Sequence, residues 1–458
     1  MLVLTSGLGC GHVRAAEALV AAVRRLEPRA QLRLLDFWSL MNPGVAATIK
    51  RRYLSLVLDH PELYSRLHRL DERSWRRVIE NEIPPPAEVV ELIERFAVNV
   101  GNDAHSLASL LDWALGPYPS DLLFFPTACA ALPTNSHELA GNSIALLRQA
   151  LLKWAFARLQ SRMEQRLVDF APDVVIATQM VPAALVATLK QSSRRWRRLP
   201  LIGVLTDFGA HDYWSQPGVD LYSLPHEDVM TASVHSPSLG RFGARMIATG
   251  VPLMPGFEHP CTQAEARARI GLVQEPPRPV VLVLGGGLGL CLEALVAQLR
   301  VGVPGCTLLV MAGRNAEVQD RITAATSGAG GARVEVRGWT EHMENYIAAA
   351  DVVVGKPGGL TVAEVLACGR PLLVTRSLQG QESFNVQFLE RRQVGALVSE
   401  QDLPGKLAEW VGDPERLAAV QRRAREAGRR DGAGRVARHA LELARRIPVE
   451  VATLQEAS

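Results

Sequence analysis

The stretch from Val280 to Thr375 constrains the fold more than any other part of the chain. Five apolar runs, "VVLVLGGGLGL", "TLLVMAG", "RVEVRGW", "DVVVGKPGG" and "PLLVT", alternate there with helical patterns. Most of these runs lack period-two alternation, as expected of strands buried on both faces. Five strand–helix units within about 110 residues leave room only for short connections, and right-handed crossovers turn such a series into a doubly wound parallel sheet. Ligands are expected at the carboxyl ends of those strands.

A similar rhythm starts the chain. "LVLTS" precedes a helix from about 12 to 26, then comes "LRLLDFW", and much later "DVVIAT", "LIGVLTDF" and "LYSLP". With 458 residues, two cores are expected rather than one. The reading is α/β, two doubly wound Rossmann-like domains facing a cleft. The first spans 1–254 and carries a mostly helical insertion at about 43–165, and the second spans 255–412. Helices at 413–458 pack on both, and the tail "VATLQEAS" is frayed. The Pro- and Gly-rich "TGVPLMPGFEHP" at 249–260 has the composition of an interdomain connection.

Composition narrows the class further. Apolar and charged fractions of 48% and 21% suit a globular protein, and no window holds the roughly 18 uninterrupted apolar residues of a membrane span. "MLVLTS" has neither a charged n-region nor a cleavage site, so no export signal is expected and the cytoplasm is the default. The six cysteines are scattered without metal spacing, which predicts reduced thiols and no metal centre. A net charge of +3 argues against wholesale nucleic-acid binding. "RSWRR" and "RRWRRLP" interleave arginine with tryptophan at Trp75, Arg76, Arg77, Trp196 and Arg197. Such stretches suit an anionic membrane surface, or are solvated basic helix ends.

Five motifs could carry chemistry, each with a plainer reading beside it. In "SGLGCGH", Gly9 and Gly11 allow close backbone approach before a helix, but a turn has no need of His12. Gly285, Gly286, Gly287 and Gly289 sit between a strand and a helix, as in a phosphate site or a tight turn. This loop is neither a Walker A sequence nor a dinucleotide fingerprint. In "GKPGGLTVAEVL", Gly358 and Gly359 make a close-approach loop, Thr361 can cap the following helix, and Glu364 lies on its first turn. Glu364 is there either to accept bonds from a ribose diol or to complement the helix dipole. Gln381, Glu382 and Asn385 share one helix face, able to grip sugar hydroxyls or to form an ordinary polar N-terminus. Asp207 and His211 follow a strand on the cleft side, and either is also readable as structural.

Taken in order, "SGLGCGHVRAAEAL", "TDFGAHDYW", "GWTEHMENYIAAADVVVGKPGGLTVAEVLACGRPLLV" and "GQESFN" resemble the monogalactosyldiacylglycerol synthase and processive diacylglycerol glucosyltransferase family. These are family 28 glycosyltransferases of GT-B fold, related to the lipid-linked peptidoglycan N-acetylglucosaminyltransferase. The resemblance covers roughly 1–60 and 170–400. It implies that His12 is the catalytic base, that Glu364 holds the ribose, and that Gln381, Glu382 and Asn385 line the sugar. The "GW" step at 338–339 precedes a helix whose neighbourhood holds the uracil. Cys10 departs from the family's "GGGH", Gln379 stands where a proline is usual, and 85–150 does not follow the family pattern.

The implied reaction is an inverting transfer of a hexose from a UDP-sugar to a membrane lipid hydroxyl, with diacylglycerol the foremost acceptor, and without metal or cofactor. Partners are then the UDP-sugar, the lipid acceptor and an anionic membrane surface on the inner face of the cell membrane. Three alternatives remain: an N-acetylglucosaminyl transfer to another lipid carrier, a UDP-sugar 2-epimerase, and a non-catalytic UDP-sugar sensor.

Overall fold

The computed structural model describes residues 1–7, 10–40, 159–210, 214–231, 239–272, 278–285, 292–328, 330–375 and 381–445. The expected insertion falls outside them as far as residue 158. So do Trp75, Arg76, Arg77, His211, Gly286, Gly287, Gly289 and the residues after 445, and of Gln381 only the backbone is described.

The first half is built on β1 (Leu2–Thr5), β2 (Arg33–Asp36), β3 (Val175–Ala177), β4 (Leu201–Val204), β5 (Leu221–Leu224) and β6 (Arg245–Ala248). They pair in the order β2-β1-β3-β4-β5-β6, all parallel. Central strands such as Leu2–Thr5 are wholly buried, whereas the edge strands β2 and β6 are partly exposed. Helix α1 (Cys10–Leu26) follows β1, α2 (Met180–Ser192) follows β3, and the short α3 (Glu227–Thr231) follows β5.

In the second half α4 (Gln263–Arg269) leads into a second sheet, in the order β12-β11-β10-β7-β8-β9, again all parallel. Its strands are β7 (Val280–Leu284), β8 (Thr307–Met311), β9 (Arg333–Arg337), β10 (Val352–Gly355), β11 (Leu372–Val374) and β12 (Gly395–Leu397). Helices α5 (Leu292–Gly302), α6 (Ala316–Thr326), α7 (Met343–Ala349), α8 (Gly359–Ala367) and α9 (Gln381–Arg391) intervene. The edge strand β9 does alternate, with Glu335 paired to Arg333 and Arg337, both at 2.7 Å. Two sheets of this kind give the GT-B architecture.

Among the described residues three further helices follow: α10 (Leu403–Val411), α11 (Pro414–Ala427) and α12 (Gly432–Arg445). Ala424 and Ala427 of α11 join the core of the second sheet. The chain then returns to the first half, where Val436, Ala437 and Ala440 of α12 pack in one cluster with Leu19 and Val23 of α1. The two strands of backbone that link the halves meet at Gly250, which has φ +97°. A Cβ there would lie 2.6 Å from that of Arg429, so both the backbone conformation and the crossing require glycine.

One expectation is overturned. Trp196 offers no aromatic face to a membrane: it is 6% exposed, packs in the first core, and donates its indole N–H to Glu164 Oε1 at 2.9 Å. Its neighbours Arg194, Arg195, Arg197 and Arg198 are exposed. Burying the indole removes more apolar surface from water than any other side chain of that turn could, while the guanidinium groups stay hydrated. No helix among the described residues is long and apolar enough to cross a membrane.

Candidate active site

In each sheet the strand order reverses beside one central strand, which opens a crevice at the carboxyl ends: between β1 and β3 in the first, between β7 and β10 in the second. The loop leaving β1 is tied down by Asp36 Oδ1, which accepts from the Gly7 N–H at 3.1 Å, and by Ser6 Oγ, which accepts from the Trp38 indole at 2.9 Å. His12 stands on the first turn of α1, over this crevice.

Thr178, at the end of β3, organises the histidine. Its N–H donates to Leu4 O at 2.9 Å, and its hydroxyl lies 3.1 Å from Thr5 Oγ1 and 3.0 Å from His12 O. Its carbonyl lies 2.8 Å from His12 Nδ1, with Thr206 Oγ1 3.3 Å from the same nitrogen. A carbonyl only accepts, so Nδ1 carries the proton and the Nε2 lone pair is left for chemistry. Burial pushes the imidazole below its ordinary pKa, against the opposing pull of the Asp207 charge and the Thr178 carbonyl. His12 is therefore neutral near pH 7.

On the second sheet the outcome is mixed. The Gly285 N–H donates to Met311 O at 3.2 Å, so it continues the sheet instead of pointing at a ligand. Helix α8 begins at Gly359 with Gly358 as its cap and no side-chain capping bond, so Thr361 lies inside the helix and does not cap it. Glu364 consequently stands beyond the first turn, where the helix dipole has largely faded. Burial pushes its carboxyl up to about 8, with the Arg14 guanidinium of α1 opposing the rise and the Glu344 carboxylate adding to it. No described residue hydrogen-bonds to that carboxyl.

The two halves touch at their crevices. Gly11 faces Leu360 of α8, 3.5 Å from where a Cβ would stand. At Gly359 a Cβ would overlap the carbonyl of Thr206 and come within 2.7 Å of Asp207 Oδ1, so only glycine fits there. Asn385 is fully buried and Glu382 half-buried on the opening turns of α9. The structure thus brings together His12, Asp207, Gly11, Gly358, Gly359 and Asn385, with Glu364 on the same helix as Gly359.

Sequence reasoning missed Thr178, Thr206, Arg14 and Arg314. The last, in the turn after β8, lays its guanidinium 3.8 Å from the ring centre of Trp339, which is 41% exposed. Position after a strand end was the only signal that Thr178, Thr206 and Arg314 offered, and Arg14 lies within α1.

Residues 141–253 match the family model for monogalactosyldiacylglycerol (MGDG) synthase, and residues 280–435 match the glycosyltransferase family 28 C-terminal domain. The His12 loop lies outside both matches. A processive diacylglycerol beta-glucosyltransferase of Bacillus subtilis (strain 168) is 27% identical over 248 residues, 53% of this chain and 61% of the relative. A probable chloroplastic monogalactosyldiacylglycerol synthase of Glycine max is 26% identical over 257 residues, 54% of this chain and 47% of the relative. The chain spans about three fifths of the first relative's length and about half of the second's. Among solved structures, MurG of Acinetobacter baumannii aligns with a TM-score of 0.48 at 15% identity, covering 64% of this chain and 79% of that one.

Proposed function

We propose, for a chain that belongs to glycosyltransferase family 28, that it moves a hexose from a UDP-sugar to the hydroxyl of diacylglycerol with inversion at the anomeric carbon. The observation that carries this reading is His12: a neutral imidazole on the crevice of the first sheet, its Nδ1 fixed by Thr178 O at 2.8 Å, next to Gly11, which faces Leu360 of the second half.

The acceptor hydroxyl attacks the anomeric carbon and gives its proton to His12 Nε2, while the bond from that carbon to the diphosphate breaks. The sugar passes through an oxocarbenium-like state. UDP leaves with its charge facing the N-terminus of α8, with Gly286, Gly287 and Gly289 assigned to the same phosphate role. Glu364 takes the ribose hydroxyls, and its neutral carboxyl both donates and accepts. Gln381 and Glu382 are assigned to the sugar, and Asp207 and His211 to the acceptor. Arg194, Arg195, Arg197 and Arg198 hold the protein peripherally on an anionic membrane, on the inner face of the cell membrane.

The test incubates purified protein with diacylglycerol vesicles and, in turn, labelled UDP-glucose, UDP-galactose and UDP-N-acetylglucosamine, and identifies the products by mass. A hexosyl diacylglycerol supports the reading. An N-acetylglucosaminyl lipid replaces the donor, and a free epimerised UDP-sugar, or binding without turnover, overturns it.

A further inference from the structure

We infer that Asn385 is the clasp that seats the Thr206–Phe208 segment against His12, and not a side chain that grips the donor sugar. Asn385 sits at 0% exposure on α9, on the second half of the molecule. Its Oδ1 accepts from the Phe208 N–H at 2.7 Å, and its Nδ2 donates to Asp207 Oδ1 and to Pro357 O, each at 2.9 Å. Both donors and one acceptor site of the amide are therefore spent. Two of these three bonds cross from one half to the other. Phe384, the residue before, packs so closely on Gly209 that a Cβ there would overlap its ring. No space is left between Asn385 and this segment for a pyranose.

The segment so held ends at the histidine. Thr206 Oγ1 stands 3.3 Å from His12 Nδ1, and the Asp207 carboxylate is the charged group that acts on the imidazole. Asn385 also fixes the Pro357 carbonyl at the start of α8, so one side chain ties the glycine loop of the second half to the segment beside His12. Its effect on the reaction runs through His12: it is a positioning residue.

The functional consequence rests on His12 being the base, but its physical core does not, because the imidazole can be titrated in the full chain without donor. The experiment follows the His12 ring by NMR in the wild type, Asp207→Asn, Asn385→Ala and the double variant, with a thermal melt on each. Asp207→Asn is expected to lower the His12 pKa, because a carboxylate that favours the cation has been removed. Asn385→Ala is expected to displace the titration as well, and the double variant to move it no further than the larger single change. Thr206→Val leaves the Asn385 bonds in place and is expected to perturb the same ring, which keeps the test open if Asn385→Ala folds poorly.

A second readout compares ligand affinities. Asn385→Ala should alter binding of UDP and of UDP-glucose by the same factor, within about twofold, since no sugar contact is lost. An unmoved His12 titration in Asn385→Ala, or a loss of affinity confined to UDP-glucose, overturns the inference. A wild type that makes no glycolipid overturns the proposed reaction and leaves both of these readouts standing.

Discussion

A histidine held by a backbone carbonyl loses its ability to choose a tautomer. His12 gives its Nδ1 proton to Thr178 O, and burial keeps it neutral, so Nε2 is the basic nitrogen at ordinary pH. His12→Ala should lower turnover by roughly 100-fold or more while leaving UDP affinity within a few fold, measured by steady-state kinetics and calorimetry. Glu364 carries a second consequence. Its carboxyl titrates at about 8 in the folded chain, well above its unfolded value. The native state therefore holds the proton that the unfolded state has released, and this contribution to stability is lost as pH rises from the unfolded pKa through about 8. Glu364→Gln, which is neutral throughout, should gain in melting temperature relative to the wild type from pH 5 to pH 9; a flat difference would mean that the half-buried carboxyl is not raised in this way. His12 was visible in the sequence because a glycine turn has no use for it. Thr178 and Thr206 were not, being 166 and 194 residues away. Trp196 was misread because flanking arginines look the same whether the ring between them faces lipid or core.

At the scale of elements, the strands were readable wherever both faces are covered. Continuous runs such as "DVVVG" and "LLV" leave few alternatives to a buried parallel strand. Helix ends were harder. Thr361 is a good capping residue, yet the chain already turns helical at Gly359, because glycine lets α8 start hard against the Thr206 carbonyl. What α12 packs on was equally hidden, since an amphipathic pattern shows that a face is buried and not against what. Leu19 of α1, at 0% exposure in the cluster that holds α12, tests that packing. Leu19→Ala should cost about 2–5 kcal/mol in chemical denaturation. A cost below about 1 kcal/mol would mean that the α1–α12 cluster is not a packed core.

For the whole molecule, the halves are fastened away from the crevices as well. Asp228 of α3 accepts from Arg392 Nε at 2.6 Å, Glu227 pairs with Arg429 at 2.7 Å, and Arg25 pairs with Glu258 at 2.7 Å. Surface pairs of this kind contribute about 0–1 kcal/mol each, less than the buried contacts that join the halves at Asn385 and Gly359. On the outer face, reversing Arg194, Arg195, Arg197 and Arg198 to Glu should sharply weaken sedimentation with anionic vesicles, most strongly at low salt. Trp196→Ala should lower the melting temperature without a separate loss of vesicle binding; the opposite pattern would restore the tryptophan to the membrane. That two domains face one another could be read from the two strand–helix arrays. That Asn385 joins them could not, because a polar residue on the opening turns of a helix reads equally as a ligand, a cap or a contact. The anomeric configuration of the lipid product formed from an α-linked UDP-sugar, read by NMR, bears most directly on a base at His12 opposite a departing UDP. A β-glycoside is the expected product, and an α-glycoside, or a sugar released to water with no glycolipid formed, would contradict it.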